Sequence, residues 1–164
     1  MPIVPYNRAA AVAYAHRWAY DRNPAFYDYD DLGGDCTNFT SQCIFAGSGV
    51  MNYTPVYGWY YIDANNKSPS WTGVPYLYNF MTANRGLGPF AEQVGMQAVL
   101  PGDFLQLGDG NGRFYHSPFI VSVSNPPSPA TILVAAHTYD ADNRPLNTYN
   151  YGQVRFVHIL GVRR

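Results

Sequence analysis

A cysteine lies where a glycine-containing loop meets a predicted helix. Cys36 follows a pair of glycines and precedes a stretch from Thr37 to about Ala46 that contains no helix breaker, and Gly47 then supplies a stop signal. The unpaired N–H groups and the positive dipole end of a helix start favour a thiolate over a thiol. Cys36 is therefore a candidate nucleophile.

The same pattern also permits a structural interpretation. Helical spacing places Cys36 on one face with Phe39, Cys43 and Ile44, and free cysteines commonly pack as small hydrophobic residues. Two cysteines seven positions apart on one helix are separated by about 10 Å, whereas a disulfide needs Cα atoms within about 7 Å. No disulfide is expected, Cys43 is assigned to the core, and Cys36 remains either a nucleophile or a buried thiol.

A nucleophile needs a base, and two of the four histidines are placed to supply one. His116 opens an apolar segment and His137 ends the next one, so antiparallel pairing of these two strands would bring both residues to one edge of the sheet. This arrangement provides a base and a residue that orients it. His16 is interpreted as a helix surface or packing residue, and His158 as a satisfied core or edge histidine.

Composition limits the alternatives. A chain of 164 residues fits one domain over residues 1–164, and a net charge of −1 with Lys67 as the single lysine provides no basic field for nucleic acid. No apolar run reaches the roughly 18 residues of a membrane span. The N-terminus lacks the pattern of a signal peptide, so we expect either an excised domain or a protein released by lysis.

Helical signals precede strand signals along the chain. This order predicts an α+β fold, with N-terminal helices packed on an antiparallel meander. Two segments rich in aspartate do not complete a calcium-binding loop. The predicted strands are Gly102–Leu107, His116–Val123, Thr131–Ala136 and Val154–Leu160.

Aromatic residues make up 16% of the chain and cluster after the cysteine helix. Trp59 and Trp71 lie in this insertion, and their rigid amphipathic rings suit the wall of a substrate groove. The alternative is that they cover the core beneath a long loop. Asp35 is a candidate helix cap, and the alternative is that it contacts substrate.

Several short motifs together resemble the amidase domains of the papain-like cysteine hydrolases, which are related in architecture to the NlpC/P60 and CHAP peptidoglycan hydrolases. The resemblance covers almost the whole chain, and its most specific part is the block around Cys36. The motifs are Tyr6-Asn7-Arg8, Asn23-Pro24, Gly34-Asp35-Cys36-Thr37-Asn38-Phe39, Ser70-Trp71-Thr72, Pro101-Gly102-Asp103-Phe104, His116-Ser117 and Ala136-His137-Thr138.

The resemblance implies a papain-like fold of the NlpC/P60 type and a cysteine amidase or endopeptidase that acts on bacterial peptidoglycan. It implies Cys36 as the nucleophile, His116 as the general base and His137 as the third, orienting residue, with Asp140 as an alternative for the third role. We expect a monomer in the cell wall or outside the cell, with no cofactor, no metal, no nucleic acid and no membrane partner.

Other functions remain open on the sequence alone. They are a non-catalytic aromatic module that binds cell wall or sugar, a transglutaminase-like acyl transferase, and a zinc site built from Cys36, His116 and His137. For an amidase, the Cys36 N–H is the natural first donor to an oxyanion, and the second is sought among Asn38, Gln42 and the tyrosines. Helical spacing argues against Gln42.

Overall fold

Helices dominate the first half of the chain, and most strands of the main sheet follow them. The computed structural model describes all residues 1–164, and the α+β prediction is confirmed. No helix has the length and apolar character needed to cross a bilayer. The α-helices are α1 (Arg8–Trp18), α2 (Cys36–Ser48), α3 (Pro69–Thr72) and α4 (Val74–Ala83), and two short 3₁₀ helices cover Met96–Ala98 and Leu146–Thr148.

One sheet of eight strands pairs antiparallel throughout. Its main path runs β1-β10-β5-β7-β8-β9, while β4 also pairs with β10 and β6 also pairs with β5; β2 and β3 form a separate hairpin. The strands are β1 (Ile3–Val4), β2 (Tyr61–Asp63), β3 (Asn66–Lys67), β4 (Gly88–Val94), β5 (Phe104–Gly108), β6 (Phe114–His116), β7 (Phe119–Ser122), β8 (Leu133–Ala136), β9 (Ala141–Pro145) and β10 (Gln153–Arg163).

The predicted meander is correct for β5, β7 and β8 and wrong for the terminal strand. β10 returns to the other side of β5, where Val157 pairs with Phe104, instead of following β8. The place beside β8 belongs to β9, which lies between two of the predicted strands, where no strand was predicted. Each face of the sheet carries its own cluster of buried apolar side chains, and the larger cluster includes residues of α2.

Helix α2 passes through the interior, and 11 of its 13 residues are buried. It ends two residues later than expected, because Gly49 adopts the left-handed conformation that closes the helix and its N–H bonds to the Phe45 carbonyl. Gly47 has a packing role instead. A Cβ atom there would lie 2.5 Å from Cε1 of Tyr6, so the close approach of the N-terminal segment requires glycine.

The Pro-Gly-Asp motif joins the N-terminal segment to the sheet. The buried carboxylate of Asp103 accepts a hydrogen bond from Arg8 Nη1 at 2.7 Å and lies 2.7 Å from Nδ1 of His158. The Tyr6 hydroxyl donates to the Gly102 carbonyl at 2.8 Å. The Tyr6-Asn7-Arg8 and Pro101-Gly102-Asp103-Phe104 motifs therefore bind to each other. His158 has a hydrogen-bond partner, as expected for a satisfied histidine in this strand.

Candidate active site

The loop before α2 requires its two glycines. Gly33 and Gly34 have φ angles of 91° and 102°, a region that side chains with a Cβ rarely adopt. A Cβ on Gly34 would also lie 3.1 Å from Oγ1 of Thr138. That oxygen accepts a hydrogen bond from the Asp35 N–H at 2.8 Å, so the residue before the cysteine is fixed to the segment after β8.

Cys36 is the first residue of α2 and is 9% exposed. Burial raises the pKa of its thiol, and hydrogen bonds from the backbone of Ser117 and from Thr37 oppose that rise only in part. The helix start therefore does not produce a thiolate at neutral pH, contrary to the expectation from sequence. Oγ1 of Thr37, the next residue, donates to Ser117 Oγ at 3.3 Å, so the start of α2 lies against the residue that follows His116.

His116 is the last residue of β6 and pairs with Leu107 of β5. Its side chain is partly buried, and neither ring nitrogen has a hydrogen-bond partner in the protein. Burial, together with the positive charge of Arg144, lowers the pKa of His116 to about 4. The imidazole is therefore neutral at neutral pH and can accept a proton.

His137 is held on a different side of the site. Its Nδ1 lies 2.5 Å from Oδ2 of Asp35, its Nε2 lies 2.7 Å from the Trp18 carbonyl oxygen, and its ring stacks on Phe39 with the centroids 4.0 Å apart. Nδ1 thus faces an oxygen acceptor, and Nε2 lies between the Trp18 carbonyl oxygen and a donor, Arg22 Nη1, which is 3.2 Å away. The expectation that His137 orients His116 is not met in this structure, because both ring nitrogens of His137 have other partners and no hydrogen bond joins the two histidines.

Asp35 has neither of the two roles expected for it, which were helix cap and substrate contact. It occupies the N-cap position, but its side chain makes no capping hydrogen bond. Its carboxylate instead accepts hydrogen bonds of 2.8 Å from the Tyr29 N–H and from Asn38 Nδ2, in addition to its contact with His137. The residue is buried, so the expectation that it contacts substrate is also not met.

The two tryptophans belong to the core. Trp59 and Trp71 are both 0% exposed, and their ring centroids are 4.8 Å apart. Trp59 Nε1 donates to Oγ of Ser41, and Trp71 Nε1 donates to Oδ1 of Asn38. The interpretation of these residues as a groove wall is therefore corrected in favour of the alternative, in which the insertion covers the core.

The chain matches a family model over residues 5–160, and the family is described as "Putative amidase domain". The chain belongs to this amidase family. It is 34% identical over 142 residues to the "Uncharacterized protein YhbB" of Bacillus subtilis (strain 168), an alignment that covers 85% of this chain and 43% of that protein. The chain thus spans less than half the length of this relative. No solved structure matches the chain significantly.

The zinc alternative is not supported by the geometry of the amidase domain. The ligand atoms of Cys36, His116 and His137 do not come together as a metal-binding group; the group that does is Asp28, Asp30 and Asp35.

A cation of the protein itself already neutralises that acidic group. The Arg22 guanidinium donates to Asp30 at 2.6 Å and lies 3.5 Å from Asp28. It also donates to Asp140 at 2.8 Å. Asp140, the alternative candidate for the third role, is thus part of a surface ion pair, and the structure does not bring it to His116.

A buried polar network supports the strand connection beside the cysteine. Arg155 Nη2 donates to Gln106 Oε1 at 2.6 Å, and Gln106 Nε2 donates to Ser117 Oγ at 3.0 Å. Ser117 Oγ also accepts from Thr37 Oγ1 at 3.3 Å, while Thr40 Oγ1 donates to the Ser117 carbonyl at 2.5 Å. In the sequence, only its position directly after His116 indicated that Ser117 lies at the site.

Tyr149 is the second residue that sequence reasoning missed. Its ring centroid is 5.7 Å from that of His116, and the Arg144 guanidinium lies 3.6 Å from the centre of its ring. The tyrosine follows the 3₁₀ helix Leu146–Thr148, in a segment between two of the predicted strands. No local sequence pattern indicated that this side chain lies beside the candidate base.

Proposed function

We propose that this domain is a cysteine-dependent amidase or endopeptidase with a papain-like site, in which Cys36 is the nucleophile and His116 is the general base. The observation that carries the proposal is the contact between the start of α2 and the residue that directly follows His116. Cys36 Sγ lies 3.7 Å from Thr37 Oγ1, and that hydroxyl donates to Ser117 Oγ at 3.3 Å. Membership of an amidase family supports amide hydrolysis as the reaction.

The resting pair is a neutral thiol and a neutral imidazole. Burial raises the thiol pKa and lowers the imidazole pKa, so neither group is charged at neutral pH. A proton therefore moves from Cys36 Sγ to a nitrogen of His116 as the sulfur attacks the amide carbonyl carbon. The unbonded ring nitrogens of His116 are suited to receive it.

The remaining steps return both residues to their starting state. The C–S bond forms as the carbonyl π electrons move to oxygen, and the oxyanion is stabilised by the Cys36 N–H, which has no backbone partner at the helix start. The C–N bond then breaks, and the imidazolium of His116 protonates the leaving amine. Water attacks the resulting thioester while His116 takes a proton from it, and the acid is released as the proton returns to sulfur.

The proposed substrate is the peptide part of bacterial peptidoglycan. The resemblance to the NlpC/P60 and CHAP hydrolases supports this substrate, and it implies that a monomeric enzyme works in the cell wall or outside the cell. The alignment covers 43% of the Bacillus subtilis relative, so the activity and location of a protein of that length also depend on its remaining segments.

Digestion of purified peptidoglycan tests the proposal, with new amino and carboxyl end groups identified by mass spectrometry. Cys36→Ala, Cys36→Ser and His116→Ala should each reduce release of end groups by more than about 10³-fold, because members of such a catalytic unit act together. Cys43→Ala is the matched control, since this second thiol lies on the same helix but is fully buried. It should lower stability and keep the activity.

Three outcomes would contradict the proposal. Full activity of Cys36→Ala would exclude the cysteine mechanism, and binding to peptidoglycan without release of end groups would indicate the non-catalytic module. Incorporation of an added primary amine at the new acyl end, in preference to water, would indicate the acyl transferase.

A further inference from the structure

One buried polar atom in the side chains of this protein has no hydrogen-bond partner, and it is the hydroxyl oxygen of Tyr149. A buried hydroxyl without a partner is costly, and such atoms in native structures call for an explanation, which includes a catalytic role. Arg144 makes no hydrogen bond to this hydroxyl: its guanidinium lies 3.6 Å from the centre of the Tyr149 ring, and its Nε and Nη2 donate to Thr148.

The surroundings of this hydroxyl are those of the candidate active site. The Tyr149 ring lies beside that of His116, with centroids 5.7 Å apart. Burial raises the pKa of Tyr149, the positive charge of Arg144 opposes this rise in part, and the negative charge of a Cys36 thiolate adds to it. The hydroxyl therefore stays protonated and remains a donor at neutral pH.

The amide side chains of α2 are less suited to donate to a substrate oxygen. Asn38 Nδ2 donates to the Tyr27 carbonyl and to Asp35, and Asn38 Oδ1 accepts from Trp71. The carbonyl oxygen of the Gln42 side chain accepts from the Tyr14 hydroxyl at 2.5 Å. Asn38 is therefore not free to bind a substrate oxygen without breaking an internal hydrogen bond. Gln42 Nε2 donates to no other group, but the six-residue offset places this side chain on a different face of α2 from Cys36.

We propose that the Tyr149 hydroxyl is the second donor to the oxyanion, acting together with the Cys36 backbone N–H. This assignment rests on the proposed cysteine mechanism and adds a residue to it. The hydroxyl donates its hydrogen bond to the carbonyl oxygen as negative charge develops there, and its proton stays on tyrosine throughout. The cost of leaving the hydroxyl unpartnered in the free protein is recovered when the tetrahedral intermediate forms.

Tyr149→Phe tests the assignment, because it removes only the hydroxyl and keeps the ring between Arg144 and His116. The variant should hydrolyse peptidoglycan about 10²- to 10³-fold more slowly than wild type. Its urea unfolding midpoint should equal or exceed that of wild type, since an unsatisfied buried group is lost. Tyr151→Phe is the matched control, as Tyr151 packs against the same apolar cluster as Tyr149, and it should keep wild-type activity.

Alkylation of Cys36 by iodoacetamide separates an oxyanion donor from a residue that activates the thiol. Alkylation displaces iodide at a saturated carbon and develops no oxyanion, so Tyr149→Phe should react at the wild-type rate. Wild-type hydrolysis by this variant, an equal loss of alkylation and hydrolysis, or a clear drop in the unfolding midpoint would each overturn the assignment. Hydrolysis by Cys36→Ala would instead overturn the underlying mechanism, which distinguishes the two failures.

Discussion

Asp35 Oδ2 and His137 Nδ1 lie 2.5 Å apart, and the side chain of each is only 1% exposed. One residue directly precedes the candidate nucleophile, and the other directly follows strand β8. The pair therefore fixes the start of α2 to the sheet. We infer that His137 is a positioning residue that acts on Cys36 through Asp35, rather than a partner of the general base.

Breaking this pair should cost stability. Removal of one partner leaves the other buried without compensation, so Asp35→Ala and His137→Ala should each lower the free energy of unfolding by about 3–5 kcal/mol. The double variant should lose clearly less than the sum of the two, because the partners are coupled. Urea unfolding of the three variants measures this difference.

Asp140→Ala is the control for that cycle. Asp140 also bonds to Arg22, but its side chain is 31% exposed, and exposed ion pairs contribute about 0–1 kcal/mol. The loss should stay below about 1 kcal/mol, with hydrolysis near wild type. A crippled but folded Asp140→Ala, together with a nearly normal His137→Ala, would assign the third role to Asp140 and contradict our interpretation.

The position of Cys36 at a helix start was predictable, because the loop glycines and the breaker-free stretch are local signals. The hydrogen-bond partner of His137 was not predictable. Its place at the end of a strand was apparent from sequence, but the choice of partner depends on which face of the sheet α2 covers. Two successive residues after it, Thr138 and Tyr139, also have positive φ angles of 56° and 62°, which no local pattern indicated.

Burial was the other property that sequence did not resolve. The aromatic insertion contains polar turn residues, which are typical of a surface, yet Trp59 and Trp71 are fully enclosed. Strand β9, with the polar sequence Ala141–Pro145, lacks the apolar alternation that identifies strands and depends on its neighbour β8 for pairing. In both cases tertiary contacts decide the structure.

Gly34→Ala should destabilise the protein for two separable reasons. Its positive φ costs a residue with a Cβ about 1–2 kcal/mol, and the new Cβ crowds Thr138 Oγ1 at 3.1 Å. Gly33→Ala is the matched variant, because it has a similar φ of 91° and open space around the new atom. It should lose less in urea unfolding than Gly34→Ala does. Gly95→Ala introduces neither strain nor crowding and should leave the free energy of unfolding nearly unchanged. Equal losses of stability in Gly33→Ala and Gly34→Ala would show that the contact with Thr138 has no effect.

Trp71 substitutions distinguish a core residue from a groove wall. Trp71→Phe leaves the buried Oδ1 of Asn38 without its donor and should cost about 1–3 kcal/mol, while Trp71→Ala should cost about 3–5 kcal/mol. Tyr57→Ala is the exposed aromatic control, since Tyr57 is 85% exposed, and it should change stability by less than about 0.5 kcal/mol. An unfolding midpoint of Trp71→Phe equal to that of wild type, with a raised KM, would restore the groove interpretation.

The low pKa of His116 predicts a specific acid sensitivity. Burial sets the pKa of His116 to about 4 in the folded protein, against about 6.5 for an ordinary histidine in the unfolded chain. Between these values the unfolded state binds a proton that the folded state does not. Stability is therefore complete above about pH 6.5 and falls as the pH decreases toward 4, by up to about 3 kcal/mol at about 1.4 kcal/mol per unit.

His116→Gln isolates this contribution, because glutamine cannot titrate while every other group is shared with wild type. Unfolding free energies measured in urea from pH 4 to pH 7 should fall more steeply with acid in wild type than in the variant, and the difference between the two curves should level off above about pH 6.5. If hydrolysis depends on the neutral imidazole, wild-type kcat/KM should also remain high well below pH 6.5, since the base is protonated only near pH 4. Parallel stability curves for the two proteins would show that burial does not lower the pKa of His116.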